Sequence, residues 1–356
     1  MAGQSYSGVA SNVDLTQTVT ITEPIDNDAQ AAAAYNTALQ KLADTAEALR
    51  VASVADAFGG GFDGNLVFDG TSTVTLGDSS TLTPIAGVYT LTRPIFANNI
   101  TIAGSSTSVT VKTAGFSVFC AGTYTAGGGA GNAVLSCDGT DANANSNTVG
   151  VVGGYGGVLG ANATGGNGGT RGAASNGTGA STTLANALGG AGGSGGTTGT
   201  GGSGGTSAVT LAANAGNPRI PPSLLSGMLF GASGAAPMQG GAGGGGGGGS
   251  GTNPGCPGGG GGGVLHLVAR FVNLLSNAVL SAQGGKGGRY VVLADSGGGG
   301  GGGGGAVLVA FHDYESGSAT IASVVLIYGG AGGGSSAGGA ANGSAGSNGT
   351  YIVQQI

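Results

Sequence analysis

The chain has 356 residues, of which 86 are glycine and only 7% are charged, and its 15 Asp and Glu outweigh nine Lys and Arg to give a net charge of −6. An acidic chain with scattered cations lacks the basic stripe of a nucleic-acid surface. Hydrophobic residues nevertheless make up 39%, more than a disordered linker carries, so the glycine belongs to a folded molecule.

The N-terminus, MAGQSYSGVASNVD, has neither the basic region nor the apolar core of a signal peptide. No apolar run approaches the ~18–20 residues of a membrane span, so no membrane insertion is expected. A strand-like TVTIT (18–22) ends at Glu23 and Pro24. Next comes a helix that Asp26 or Asp28 can cap. On it Tyr35, Leu39, Leu42, Ala46 and Leu49 recur at heptad spacing. A helix this short is marginal alone, so its seam docks either on its own domain or on a two- or threefold partner. Residues 1–57 therefore read as an attachment and oligomerisation segment.

FGGGF (58–62) ends the helical texture. Short Thr- and Val-rich strands follow at 65–68, 73–76, 88–91, 100–102, 109–111 and 116–120, with Gly, Asp, Asn or Ser at the corners. Residues 58–139 thus read as a short-strand β domain: a sandwich, a barrel or stacked rungs of a β-solenoid. An internal repeat favours rungs. NAVLS (132–136) recurs at 277–281, GGGGGGVLHLVA (258–269) is echoed by GGGGGGAVLVAF (300–311), and NAVLSAQGGKGG (277–288) by SVVLIYGGAGG (323–333). The repeat unit is a glycine run, a strand, a turn and a strand, expected to form a β-hairpin between successive glycine runs.

Residues 140–356 form the glycine-rich domain. Between 189 and 206 glycine occupies positions 190, 193, 196, 199, 202 and 205, the repeat of the polyproline-II-type helix, which has no internal hydrogen bonds. Bare backbones of that kind satisfy one another only by packing side by side. Collagen is excluded by nine Pro in the whole chain and none in this run. Residues 150–206 and 240–347 are therefore expected to form a bundle of polyglycine-II helices beside a layer of strands, with NPGCP (253–257) as a tight corner. The excursion 211–238 concentrates Ile220, Leu224, Leu225, Met228, Leu229 and Phe230.

Chemistry is sparse. Cys120, Cys137 and Cys256 lack metal-type spacing and read as buried small hydrophobes, with a Cys120–Cys137 bridge left open. GxGxxG matches are trivial in glycine runs, and Lys286 in GGKGG lacks the Ser or Thr of a phosphate loop. His266 lies on an apolar strand, and HDYE (312–315) reads as a turn. With no nucleophile–base pair, neither enzymatic activity nor a cofactor or metal is expected.

The glycine runs joined by loops at 150–206 and 240–347 resemble the glycine-rich tail-fibre adhesins of T-even-like phages. The strand-rich LTRPIFANNITIAGSSTSVTVKTAGFSVFCAGTYTAGGG (91–129) is similar to runs that introduce glycine-rich domains in phage fibre proteins. The likeness is compositional and covers about two-thirds of the chain; the N-terminal strand and helix have no counterpart in it. It implies a non-enzymatic appendage on the virion surface that binds a host-cell receptor. The implied partners are further copies, as in a homotrimer, and other virion proteins, with Tyr35, Leu39, Leu42, Ala46 and Leu49 as assembly candidates. Receptor contacts are expected in loops, where placed side chains supply specificity: Arg219 and Phe230 in one, and Arg289, Tyr290 and Asp295 in another. Two other classes stay open, a structural virion or cell-surface protein without a receptor and a polyglycine-II ice-binding protein.

Overall fold

The computed structural model describes residues 4–6, 19–21, 40, 58–104, 107–142, 240–249, 254–289, 296–315, 317, 319–335 and 340–356. The heptad-seam positions, the glycine run 150–206 and the excursion 211–238 lie outside the described residues. The chain divides into two compact units, residues 1–60 and 61–356. In the first, β1 (Gln4–Tyr6) pairs antiparallel with β2 (Val19–Ile21), inside the expected TVTIT run.

The second unit is mostly β, with one short helix, α1 (Ile321–Val324), among its described elements. One sheet contains β3 (Asn65–Phe68), β7 (Ile95–Ala97), β8 (Asn99–Ile102), β10 (Val118–Ala126), β12 (Val264–Leu274), β14 (Ala306–Tyr314) and β16 (Thr350–Gln355). Its order is β16-β14-β12-β10-β8-β3, with β7 beside β10. A second sheet, ordered β15-β13-β11-β9-β6, holds β6 (Val88–Thr90), β9 (Val109–Lys112), β11 (Ala133–Ser136), β13 (Ala278–Ser281) and β15 (Val325–Leu326). All pairings in both sheets are parallel. From β9 onward the chain alternates between the sheets, and each circuit lays one strand on each sheet beside its predecessor.

Alternation explains the burial. Leu66, Phe68, Ile100 and Ile102 are buried while Asn65, Val67 and Asn99 face out, as period-2 side chains require. The inward residues of both sheets, among them Tyr124, Leu267, Val309, Val109, Leu135 and Leu280, form one apolar cluster. The verbatim repeat stacks on itself in register, with Ala133 beside Ala278, Val134 beside Val279, Leu135 beside Leu280 and Ser136 beside Ser281.

The expected hairpins between glycine runs are absent among the described residues; the only named antiparallel pairs are β1–β2 and β4 (Val74–Thr75) with β5 (Thr81–Leu82). Between β12 and β13, Asn277 takes a left-handed φ of 65° and turns the chain through a corner into the other sheet. Each strand then finds its like in the neighbouring circuit, where identical side chains stack. His312 lies on β14, because the strand runs on to Tyr314, and not in the expected turn.

Where the chain passes from the second sheet to the first, the last three circuits extend into glycine-rich arms: 137–142, 240–249, 254–263, 282–289, 296–305, 327–335 and 340–349. Their hydrogen bonds run between arms at every third residue. Gly241, Gly244 and Gly247 N–H donate to Gly262, Gly259 and Cys256 carbonyls at 2.7, 2.8 and 2.7 Å. Gly299, Gly302 and Gly305 donate to Gly288, Gly285 and Ala282 at 3.0, 2.9 and 2.6 Å, and Gly343, Gly346 and Gly349 to Gly333, Gly330 and Ile327 at 3.0, 3.0 and 2.7 Å. The approach is so close that a Cβ on Gly302 would stand 2.0 Å from the Gly260 carbonyl oxygen.

Candidate functional site

The arms leave the sheets at one end and terminate together at the other. At the far end Gly297 N–H donates to Gly248 O at 3.0 Å, Gly288 N–H to Pro257 O at 2.8 Å, Gly333 N–H to Gly299 O at 2.7 Å and Gly298 N–H to Ala341 O at 3.1 Å. These bonds tie the ends of arms 240–249, 254–263, 282–289, 296–305, 327–335 and 340–349 into one layer. The described residues that end and resume the arms, Gly249 and Pro254, Arg289 and Ser296, and Ser335 and Ala340, stand beside these bonds.

One flank of the arms is a side-chain-bearing face. Arms 137–142, 282–289 and 327–335 lie side by side, with Gly139 and Ala142 N–H donating to Gln283 and Lys286 carbonyls, and Gly284 and Gly287 N–H to Tyr328 and Ala331 carbonyls. Every third residue points outward from this layer: Asp138 and Asp141, then Gln283, Lys286 and Arg289, then Tyr328, Ala331 and Gly334. All are exposed except the half-buried Gln283, and Tyr328 is 54% exposed. The carboxylates are engaged locally. Asp138 accepts from Gln283 N–H at 2.6 Å, Ser281 Oγ at 2.5 Å and Ser136 Oγ at 2.8 Å, and Asp141 accepts from Lys286 N–H at 2.7 Å.

Of the residues singled out in the sequence, Arg289 stands exposed at the far end of this face. Arg219, Phe230, Tyr290 and Asp295 lie outside the described residues, as do Tyr35, Leu39, Leu42, Ala46 and Leu49. Asp138, Asp141, Gln283 and Tyr328 were missed. A legible signal existed: the three-residue spacing of Asp138 and Asp141 continues the glycine register, and the 277–288 and 323–333 echo aligns Gln283 with Tyr328.

The remaining polar side chains hold the fold. Arg93 joins Asp63 at 2.5 Å and Asp78 at 2.9 Å. Burial tends to raise the Asp63 pKa, but the Arg93 hydrogen bonds and the N–H groups of Phe96 and Gly77 outweigh it and hold the carboxyl below its ordinary range. His266 Nδ1 lies 2.9 Å from Ser117 Oγ, and its ring meets Phe119 edge-on at 5.7 Å. Burial pushes the imidazole down to about 4, so it is neutral near pH 7, and its Nε2 has no partner among the described residues. Cys120, Cys137 and Cys256 are buried and free, so Cys120 and Cys137 do not pair. Burial pushes the Cys120 and Cys256 thiols up to about 11 and about 12, which leaves them unreactive. Among the described residues no group of three His, Cys, Asp or Glu converges on a metal position. No protein-family model, no curated protein and no solved structure matches the chain.

Proposed function

We propose that the chain is a non-enzymatic attachment protein of a phage virion, in which a β-solenoid carries a polyglycine-II bundle whose far-end loops contact a host surface. The observation that carries this reading is the common termination of the described arms, tied into one layer at the end away from the sheets. Backbone-only arms offer little chemical distinction, whereas specificity needs placed side chains. The polyglycine-II reading draws support from the three-residue hydrogen-bond period between arms and from the close backbone approach. It draws more from backbone sign: among the described glycines, positive φ occurs only up to Gly128, although glycine visits both signs freely. The solenoid reading rests on the in-register parallel stacking of NAVLS on its repeat.

Residues 1–57 are the assembly segment in this reading, joining copies of the chain or other virion proteins through the seam from Tyr35 to Leu49. The test has two parts. Fluorescently labelled full-length protein is incubated with a panel of bacterial strains, and virions are imaged after gold labelling against the chain. Specific retention by some strains and decoration of a virion appendage are expected; no strain bound and no particle labelled would overturn the proposal. Deleting residues 1–57 is expected to lower the sedimenting mass of any oligomer, and an unchanged oligomer would remove the seam from assembly.

A further inference from the structure

Every charged residue of the described arms (Asp138, Asp141, Lys286 and Arg289) and their one aromatic, Tyr328, stands on the single flank formed by arms 137–142, 282–289 and 327–335. In a chain where 7% of residues are charged, this is the one part of the described arms that carries charge and an aromatic ring. We propose that this flank is a binding surface for a neutral polysaccharide, laid along the arms with Tyr328 as its apolar platform. The inference deepens the attachment reading and rests on it for its biological setting.

Three features favour a sugar chain over a peptide. The flank is a layer of parallel arms, and no groove or deep pocket is needed to describe it, whereas protein hot spots are clustered anchors in desolvated pockets. Strand addition is blocked on this side, because the N–H groups of Gln283 and Lys286 are already taken by Asp138 and Asp141 at 2.6 and 2.7 Å. The side chains present suit a sugar. An exposed ring offers a flat apolar surface beside a polar tip, matching the C–H face of a pyranose. The Arg289 guanidinium and Lys286 ammonium, both exposed, offer donors for adjacent hydroxyls, and Asp141, whose Oδ1 holds Lys286 N–H, presents its second oxygen as an acceptor.

Charge and spacing agree. Two carboxylates and two cations cancel across the flank, which selects neither an anionic nor a cationic polymer. Along an arm the outward residues repeat every third position, or about 9 Å at the rise of a polyproline-II-type helix, comparable to two linked sugar rings. A polymer of identical sugars therefore meets Gln283, Lys286 and Arg289 in step, and weak contacts add along its length.

The test uses the full chain against an immobilised panel of neutral polysaccharides (a β-glucan, a mannan, a galactan and an N-acetylglucosamine polymer), with cell binding run in parallel. Retention on at least one polymer is expected. Tyr328→Ala and the Lys286→Ala/Arg289→Ala pair should each weaken it at least tenfold, while Ser344→Ala, on the exposed edge arm, leaves it intact. Melting curves of all variants guard against misfolding. Failure of every polymer to bind, or binding insensitive to Tyr328→Ala, overturns the proposal. Cells bound with no effect of these variants and no competition by soluble polymer would sink the flank and leave the attachment reading standing. If no cells are bound and no particle is labelled, the attachment reading fails, and the polymer panel decides the flank alone.

Discussion

Replacing Gly302 with alanine tests whether the arms are held by backbone contact alone. The new Cβ would lie 2.0 Å from Gly260 O and 2.5 Å from its carbonyl carbon, where ordinary contact begins at 3.4 Å, so the arms must separate by about 1.4 Å. The bonds that join these two arms there run from Gly259 N–H to Gly300 O and from Gly262 N–H to Gly303 O, both at 2.9 Å. A shift of that size takes such bonds beyond hydrogen-bonding range. Two buried groups left unsatisfied cost about 1–3 kcal/mol each. Restriction of the unfolded chain by alanine offsets about 0.4–1 kcal/mol of this. The net is a loss of about 1–5 kcal/mol, which lowers the melting temperature on the order of 10 °C for a domain this large. Gly334→Ala is the control, because its Cβ would meet nothing within 4 Å, and its effect should stay within about 1 kcal/mol. Urea unfolding with hydrogen exchange of the arm amides reads both. Identical unfolding of Gly302→Ala, Gly334→Ala and the parent would refute the packed-backbone account.

Side-chain capping of the edge arm supplies a second prediction. Asn342 and Asn348 accept from Ser335 and Gly329 N–H at 2.7 and 3.2 Å, while Ala345 occupies the equivalent place opposite Gly332. Ala345→Asn should stabilise by about 0.5–1.5 kcal/mol and Asn348→Ala should destabilise by a similar amount; opposite or null shifts in urea midpoint would count against capping. His266 gives a pH dependence. Its folded pKa of about 4 lies below the ordinary 6.5, so the unfolded chain takes up its proton first and the stability held above pH 6.5 is lost as pH falls toward 4. At about 1.4 kcal/mol per pH unit the loss reaches about 3 kcal/mol. His266→Gln should flatten that part of the stability profile, and an unchanged slope between pH 6.5 and 4.5 would exclude the histidine as its source. Asp63→Asn should destabilise by about 2–4 kcal/mol, because it strips a buried partner from Arg93 and weakens acceptance from Phe96 and Gly77 N–H. A melting temperature equal to the parent's would show that this pair is dispensable.

Local chemistry made much of the β architecture legible in advance. Short apolar runs bounded by turn residues placed β3, β8 and β9 within a residue or two, because a period of two with one buried face has few other uses. The echo of NAVLS pointed to stacked units, and its two copies are neighbours in one sheet. The polar flank was harder to see. Asp138 and Tyr328 are 190 positions apart in a chain whose long insertion falls between β11 and β12, and only the translational stacking of arms brings their columns together.

Composition by itself determined that the glycine segments must find their hydrogen bonds in one another, since a backbone without side chains has no other buried partner. Pairing was a different matter. A strand of alternating apolar residues is equally satisfied by a hairpin neighbour or by its counterpart in the next circuit, and the corner at Asn277 decides between them by sending the chain across the core. Which arm meets which is likewise unreadable from glycine, because every glycine run is chemically alike. Their order is set by the strands they grow from, whose distinct side chains lock the register and carry the arms with them.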